Sequence, residues 1–182
     1  MNEWLLAFLF FLPAGAANTS PVFANKLPLL KRWKTPIDFG LNWHGKRLLG
    51  DNKRWRGLIF GSFIGGVTGG LVHLLQPEVI QQIRVVSFVP LLDMIFLGMA
   101  LGFGALAGDA VESFFKRRTG VKPGHSWFPF DQLDFIAGGL AFSMLLADLS
   151  SGLILRVIII YFGLHLVTSC FGYLLGLKDK PI

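Results

Sequence analysis

The chain has 182 residues, of which 53% are hydrophobic and only 15% charged, with a mean hydropathy of +0.58. A soluble domain carries roughly 25% charged residues, so the composition excludes an ordinary soluble fold and indicates one integral membrane domain over 1–182. The net charge of +6 fits positive-inside anchoring without nucleic acid as a partner, and the lone Cys170 excludes a disulfide framework or a thiolate metal site.

In chain order, the first apolar segment runs from about 4 to 24. Its Ala14-Gly15-Ala16-Ala17 stretch looks cleavable, but Glu3 stands where a secretory signal has a basic n-region, so a retained helix is expected. A second span over 56–75 carries Gly57, Gly61, Gly65, Gly66, Gly69 and Gly70, and a third over 85–107 carries Gly98, Gly102 and Gly104. Glycine at three- and four-residue spacing lets helix backbones approach closely in lipid. Two more spans are expected over 132–148 and 153–176. The predicted fold is an all-α integral membrane protein with five transmembrane helices.

Charge orients the bundle. The connection between the first two spans holds Lys26, Lys31, Arg32, Lys34, Lys46, Arg47, Lys53 and Arg54. The loop after the third adds Lys116, Arg117, Arg118 and Lys122, and the C-terminal tail adds Lys178 and Lys180. On the other side the 76–84 loop has only Arg84, and the 149–152 turn has no cation. Lys and Arg near span ends mark the cytoplasmic side. The N-terminus is therefore expected outside and the C-terminus in the cytoplasm. Both long loops then lie on the cytoplasmic face of the cell membrane, where nucleotides and Mg²⁺ meet lipid.

The stretch GDAVESFFKRRTGVKPGHSWFPFDQLDF, 108–135, concentrates the chemistry. On a continuing helix Ser113 and Lys116 stand four and seven residues after Asp109, within about 40° of it around the axis, and Arg117 lies near the same face. A solvated i,i+4 ladder looks similar. Asp131 and Asp134 open the fourth span three residues apart, where isolated acids often serve only as caps. Three carboxylates at two membrane exits beside four cations fit another task. Mg²⁺ takes hard oxygen ligands shared with substrate phosphates, and Lys and Arg neutralise the departing phosphates. Lys122-Pro123-Gly124-His125 reads as a turn with amides free for an anion. No HExxH, P-loop or GxSxG spacing is present.

GDxxxSxxKR at 108–117, KPGH at 122–125 and DQLDF at 131–135 resemble the signature of membrane CTP-dependent cytidylyltransferases. PAGAANTSP at 13–21, TPIDFG at 35–40 and GDNKRWRG at 50–57 make the CDP-archaeol synthase branch the nearer likeness, with Arg54 departing from the Thr expected there. The resemblance implies transfer of CMP from CTP to 2,3-bis-geranylgeranyl-glycerol 1-phosphate, an unsaturated archaeal ether-lipid phosphate. It implies Mg²⁺ on Asp109, Asp131 and Asp134, and phosphate or pyrophosphate on Lys116, Arg117, Lys122 and His125, with Ser113 assisting. Asn18 and Ser20 would meet the lipid phosphate or glycerol, and Lys53 and Arg56 would contact substrate. No protein partner is predicted. A CDP-diacylglycerol synthase acting on phosphatidic acid is the neighbouring alternative. A CDP-alcohol phosphotransferase is disfavoured because its DGxxAR spacing is absent. A small lipid or anion transporter is disfavoured because the charge gathers at one face and no internal repeat is visible.

Other polar residues are expected away from the chemistry. Asp93 should pair with a buried polar group such as Arg156 or His73, and His165 should hydrogen-bond to a neighbouring helix. Trp43, Trp55 and Trp127 read as interfacial anchors.

Overall fold

The computed structural model describes residues 1–24, 26–83, 85, 89–122 and 125–176. Arg84, Pro123, Gly124, Lys178 and Lys180, which enter the sequence reading, lie outside the described residues. The described elements are α1 (Glu3–Ala24), α2 (Pro28–Lys31), β1 (Asn42–Trp43), β2 (Lys46–Arg47), α3 (Trp55–Leu75), α4 (Glu78–Gln82), α5 (Pro90–Thr119), α6 (Phe130–Ser143) and α7 (Ser151–Leu174). The expectation of helices throughout holds apart from one two-stranded hairpin.

Four helices, α1, α3, α5 and α7, are long and apolar enough to cross a membrane. The expected third span begins at Pro90 rather than 85, because proline suits the first helical turn and Val85 instead bridges to Ala147. It then runs unbroken for 30 residues to Thr119, and Gly120 closes it in the left-handed conformation, φ 82°. At 1.5 Å per residue that is about 45 Å, so its last turns outrun a ~30 Å hydrocarbon core. The expected span over 132–148 is shorter than predicted. Its helix has 14 residues, about 21 Å, and the chain turns over Met144–Leu146.

Glycine decides which helices touch. A Cβ on Gly65 of α3 would stand 2.3 Å from the Gly98 carbonyl oxygen of α5. One on Gly138 of α6 would stand 2.1 Å from the Gly104 oxygen of α5. No side chain fits at such separations, so α3 and α6 lie backbone to backbone against α5. On the remaining side Phe10, Phe11, Leu97, Leu101, Ile136 and Val157 form a buried core. There Tyr161 of α7 packs edge-on to Phe11 at 4.9 Å and donates its hydroxyl to the Phe8 carbonyl at 2.7 Å. At this helix end Arg156 is ion-paired with Glu3, and Asp93 accepts the Val89 amide at 3.2 Å.

The connection after α2 folds into a small cap at the opposite end. Its hairpin turns through His44 and Gly45, both at positive φ (51° and 74°), as a tight two-residue loop requires. Asp38 is the hub. Its carboxylate accepts the amides of Gly40, Leu49 and Gly50 and the Arg47 guanidinium, at 2.9 to 3.4 Å. Burial pushes this carboxyl up, but the Leu49 and Gly40 amides, Arg47 and the Gly50 amide outweigh it and hold it below the usual Asp range. Arg118, at the end of α5, donates to the Trp43 and Arg47 carbonyls at 2.8 and 3.2 Å and lies over the Trp43 and Phe114 rings. The cap is thereby clasped to α5, with Trp43 stacked on Phe114 at 5.7 Å.

Candidate active site

The site grows out of the α5–α6 contact. A Cβ on Gly108 would stand 2.1 Å from the Asp134 carbonyl oxygen, so the two backbones touch where both helices carry acids. Asp109 follows Gly108 directly, and Glu112 is one helical turn further on the same helix. Ligand atoms of Asp109, Glu112 and Asp134 all lie within 4.8 Å of one another. Three hard oxygen donors, with no His or Cys among them, fit Mg²⁺ or another hard divalent cation and do not suit a soft metal.

Two lysines close on this cluster from different elements. Lys53 leaves the cap and reaches Asp109, Nζ to Oδ1 2.5 Å. The cap delivers it because the Ile37 amide donates to the Lys53 carbonyl at 2.9 Å and the Trp55 amide to the Thr35 carbonyl at 3.2 Å. Lys116 is shared between Glu112, at 3.1 Å, and Asp131. Asp131 is held in turn by the Trp127 backbone N–H, which donates to its Oδ2 at 2.8 Å. A divalent cation bound there would favour the ionised form of all four carboxylates, and its two positive charges would balance their excess over the two ammonium groups.

The family model for CDP-archaeol synthase, described as CarS-like, matches residues 1–182 of this chain. The chain belongs to the CDP-archaeol synthase family. The CDP-archaeol synthase of Thermococcus onnurineus is 37% identical over 182 residues, covering all of this chain and 98% of that protein. That of Pyrobaculum arsenaticum is 37% identical over 178 residues, covering 96% and 98%. A solved structure of an intramembrane enzyme for archaeal membrane lipids biosynthesis matches with a TM-score of 0.71 at 32% identity, covering 89% of this chain and 91% of that one. With four apolar helices of sufficient length, the chain is a multi-pass membrane protein.

In this member of the CDP-archaeol synthase family the structure brings together Asp109, Asp134, Asp131, Lys53 and Lys116 of the residues expected at the site. Ser113 is buried one turn beyond Asp109, and Arg117 is half-buried beside Lys116. Asp131 differs from expectation: it stands outside the three-acid cluster and engages Lys116. Glu112, which sequence reasoning passed over, takes its place in the cluster. Its signal was the i,i+3 step from Asp109 and the i,i+4 step to Lys116, masked by its likeness to an ordinary surface ladder. The Arg56 guanidinium, on a residue only 7% exposed, donates to the Lys31 and Leu30 carbonyls at 3.0 and 3.3 Å. Ser20 is buried and donates to the Ala17 carbonyl at 2.7 Å, facing Gly61 of α3, while Asn18 is half-buried on α1. Lys122 and His125 are exposed on the α5–α6 connection, the His125 amide donating to the Lys122 carbonyl at 3.1 Å.

Proposed function

We propose that this protein transfers CMP from CTP to 2,3-bis-geranylgeranyl-glycerol 1-phosphate at the cytoplasmic face of the cell membrane, releasing pyrophosphate. The observation that carries the reading is the acid–lysine cluster at the membrane exit of α5, in a chain matched end to end by the family model. A bond forms between a lipid phosphate oxygen and the α-phosphorus of CTP, and the bond from that phosphorus to the β-phosphate oxygen breaks. Asp109, Glu112 and Asp134 would hold Mg²⁺, which when bound neutralises charge on the phosphates undergoing exchange. Lys53, from the cap, and Lys116, from α5, carry the remaining positive charge toward them. Asp131 orients Lys116, and the Trp127 amide orients Asp131. The nucleophile needs no base, because a phosphate monoester is already ionised near neutral pH. Rate enhancement comes from positioning and charge neutralisation. Arg117, Lys122 and His125 then meet phosphate oxygens at the rim, with Ser113 assisting and Asn18 and Ser20 assigned to the lipid phosphate or glycerol.

The proposed topology has five crossings with the N-terminus outside. The Met1 ammonium lies 3.7 Å from Glu78, Val85 bridges to Ala147, and Arg156 pairs with Glu3, so the start of α1 shares one end with the α3–α5 and α6–α7 connections. Among the described residues, every Lys and Arg except Arg156 falls in 26–56 or 116–122, toward the other end. That asymmetry supports a cytoplasmic site. The short α6 with its following turn would complete the fifth crossing.

The test is pyrophosphate release by the detergent-solubilised protein with CTP and Mg²⁺. Release should require bis-geranylgeranylglyceryl phosphate. Release with phosphatidic acid alone would move the substrate to the acyl-ester class, and none with either lipid in a folded preparation would refute the transferase reading.

A further inference from the structure

The Lys26–Lys34 segment joins the end of α1 to the cap, and its surface is built unlike a soluble loop. Leu29, on α2, is 89% exposed, and Leu27 and Trp33 are also open, next to the exposed Val22 and Phe23 of the last turn of α1. Lys26, Lys31, Arg32 and Lys34, interleaved with them, are exposed as well. This mixture of bare leucine, tryptophan and cations suits the boundary between headgroups and acyl chains, where apolar side chains dip in and cations meet lipid phosphate.

The segment is held in this attitude from within. Arg56 is almost wholly buried and grips the Leu30 and Lys31 carbonyls. Pro28 starts the short helix, and the Lys26 amide donates back to the Phe23 carbonyl at 2.9 Å. A buried guanidinium fixing the backbone of a four-residue helix means that the outward direction of Leu29 is set by the protein core. The segment also ends at the site: Thr35 accepts the Trp55 amide, and Lys53, two residues before Trp55, reaches Asp109.

We infer that Lys26–Lys34 is an interfacial platform, inserted among lipid headgroups, that gathers anionic lipid phosphate beside the active site. The platform accounts for four cations that the cluster itself does not use. Its membrane seating stands independently of the proposed reaction. Only the identity of the lipid it supplies rests on that reading.

Two measurements test it. First, Leu29→Cys in a Cys170→Ser background, labelled with an environment-sensitive fluorophore, is reconstituted into phosphatidylcholine vesicles with and without phosphatidylglycerol. The label should be quenched by doxyl-labelled lipid, more strongly when the anionic lipid is present. A label that water-soluble iodide quenches and lipid quencher does not would overturn the proposal. So would a label shielded from both, since protein would then cover the face. Second, the combined variant Lys26→Gln, Lys31→Gln, Arg32→Gln and Lys34→Gln should raise the KM for lipid phosphate about tenfold, the effect of roughly 1.4 kcal/mol of lost attraction. Its KM for CTP and its kcat should stay within about twofold of the parent, because steering by surface charge acts on capture. A rise in the CTP KM instead would overturn the proposal by assigning these cations to the nucleotide. Quenching is read without turnover, so a protein that fails the transferase assay can still confirm or refute the platform.

Discussion

Replacing Gly108 with alanine tests the geometry from which the site is argued. The added Cβ would lie 2.1 Å from the Asp134 carbonyl oxygen, where ordinary contact begins at 3.4 Å. The obstructing atom is a backbone oxygen and a Cβ has no rotamer, so no side-chain adjustment relieves the clash, and α5 and α6 must part by about 1.3 Å at that level. Overpacking of this kind costs ~1–3 kcal/mol. The separation also spreads Asp109 and Glu112 from Asp134, whose ligand atoms now lie within 4.8 Å. A 1 Å misplacement of reacting groups lowers rate roughly 100-fold. The expected result is a lower unfolding temperature in detergent together with at least a roughly 100-fold fall in pyrophosphate release, deeper than the stability loss alone explains. Gly163→Ala is the control, since a Cβ there meets nothing within 4 Å. It should retain both stability and activity. If Gly108→Ala keeps full activity, the α5–α6 backbone contact does not set the acid cluster and the reasoning fails.

The remaining predictions separate roles within the site and the cap. Asp109→Asn, Glu112→Gln and Asp134→Asn should each cost more than about 100-fold in activity and weaken Mg²⁺ binding measured by calorimetry. Unchanged Mg²⁺ affinity in any one removes that residue from the ligand set. Asp131→Asn should leave Mg²⁺ affinity within about twofold while weakening CTP about tenfold, because Lys116 loses a charged hydrogen-bond partner. An equal loss of metal would return Asp131 to the metal, as the family resemblance implies. Asp38 has a folded-state pKa below its ordinary value, so its stabilising contribution is complete above the unfolded pKa and is lost as pH falls through the folded one. Proteolysis within 35–54 should therefore accelerate on acidification below about pH 4. Asp38→Asn should already be cleaved quickly at neutral pH and show no such acid transition; a resistant cap in that variant would show that Asp38 is not its hub.

Much of this protein is set by local sequence. Runs of about 20 apolar residues, separated by stretches rich in cations, specify long lipid-spanning helices because unsatisfied backbone is costly in hydrocarbon. The helical period alone aligns Asp109 with Ser113 and Lys116, and Gly120 and Pro90 mark the ends of α5. Asp109 was legible as a candidate from that alignment, and Asp134 from its place at the opening of the fourth span and from the family resemblance. Tertiary structure decided what those residues meet. Asp131 and Asp134 are three residues apart, about 60° around the helix, so a small rotation of α6 determines which one faces Asp109. The backbone contact of Gly108 and Gly138 with their partners fixes that rotation. It sends Asp134 into the acid cluster and Asp131 to Lys116, and it makes a cluster member of Glu112, which looks like a ladder residue in isolation. Arg56 illustrates the same limit: the family resemblance implies substrate contact, and only the fold shows its guanidinium buried against the Leu30 and Lys31 carbonyls of α2. Periodicity is carried by neighbours along the chain. Pairing between helices depends on which surfaces can approach closely, and that is settled only when all of them pack together.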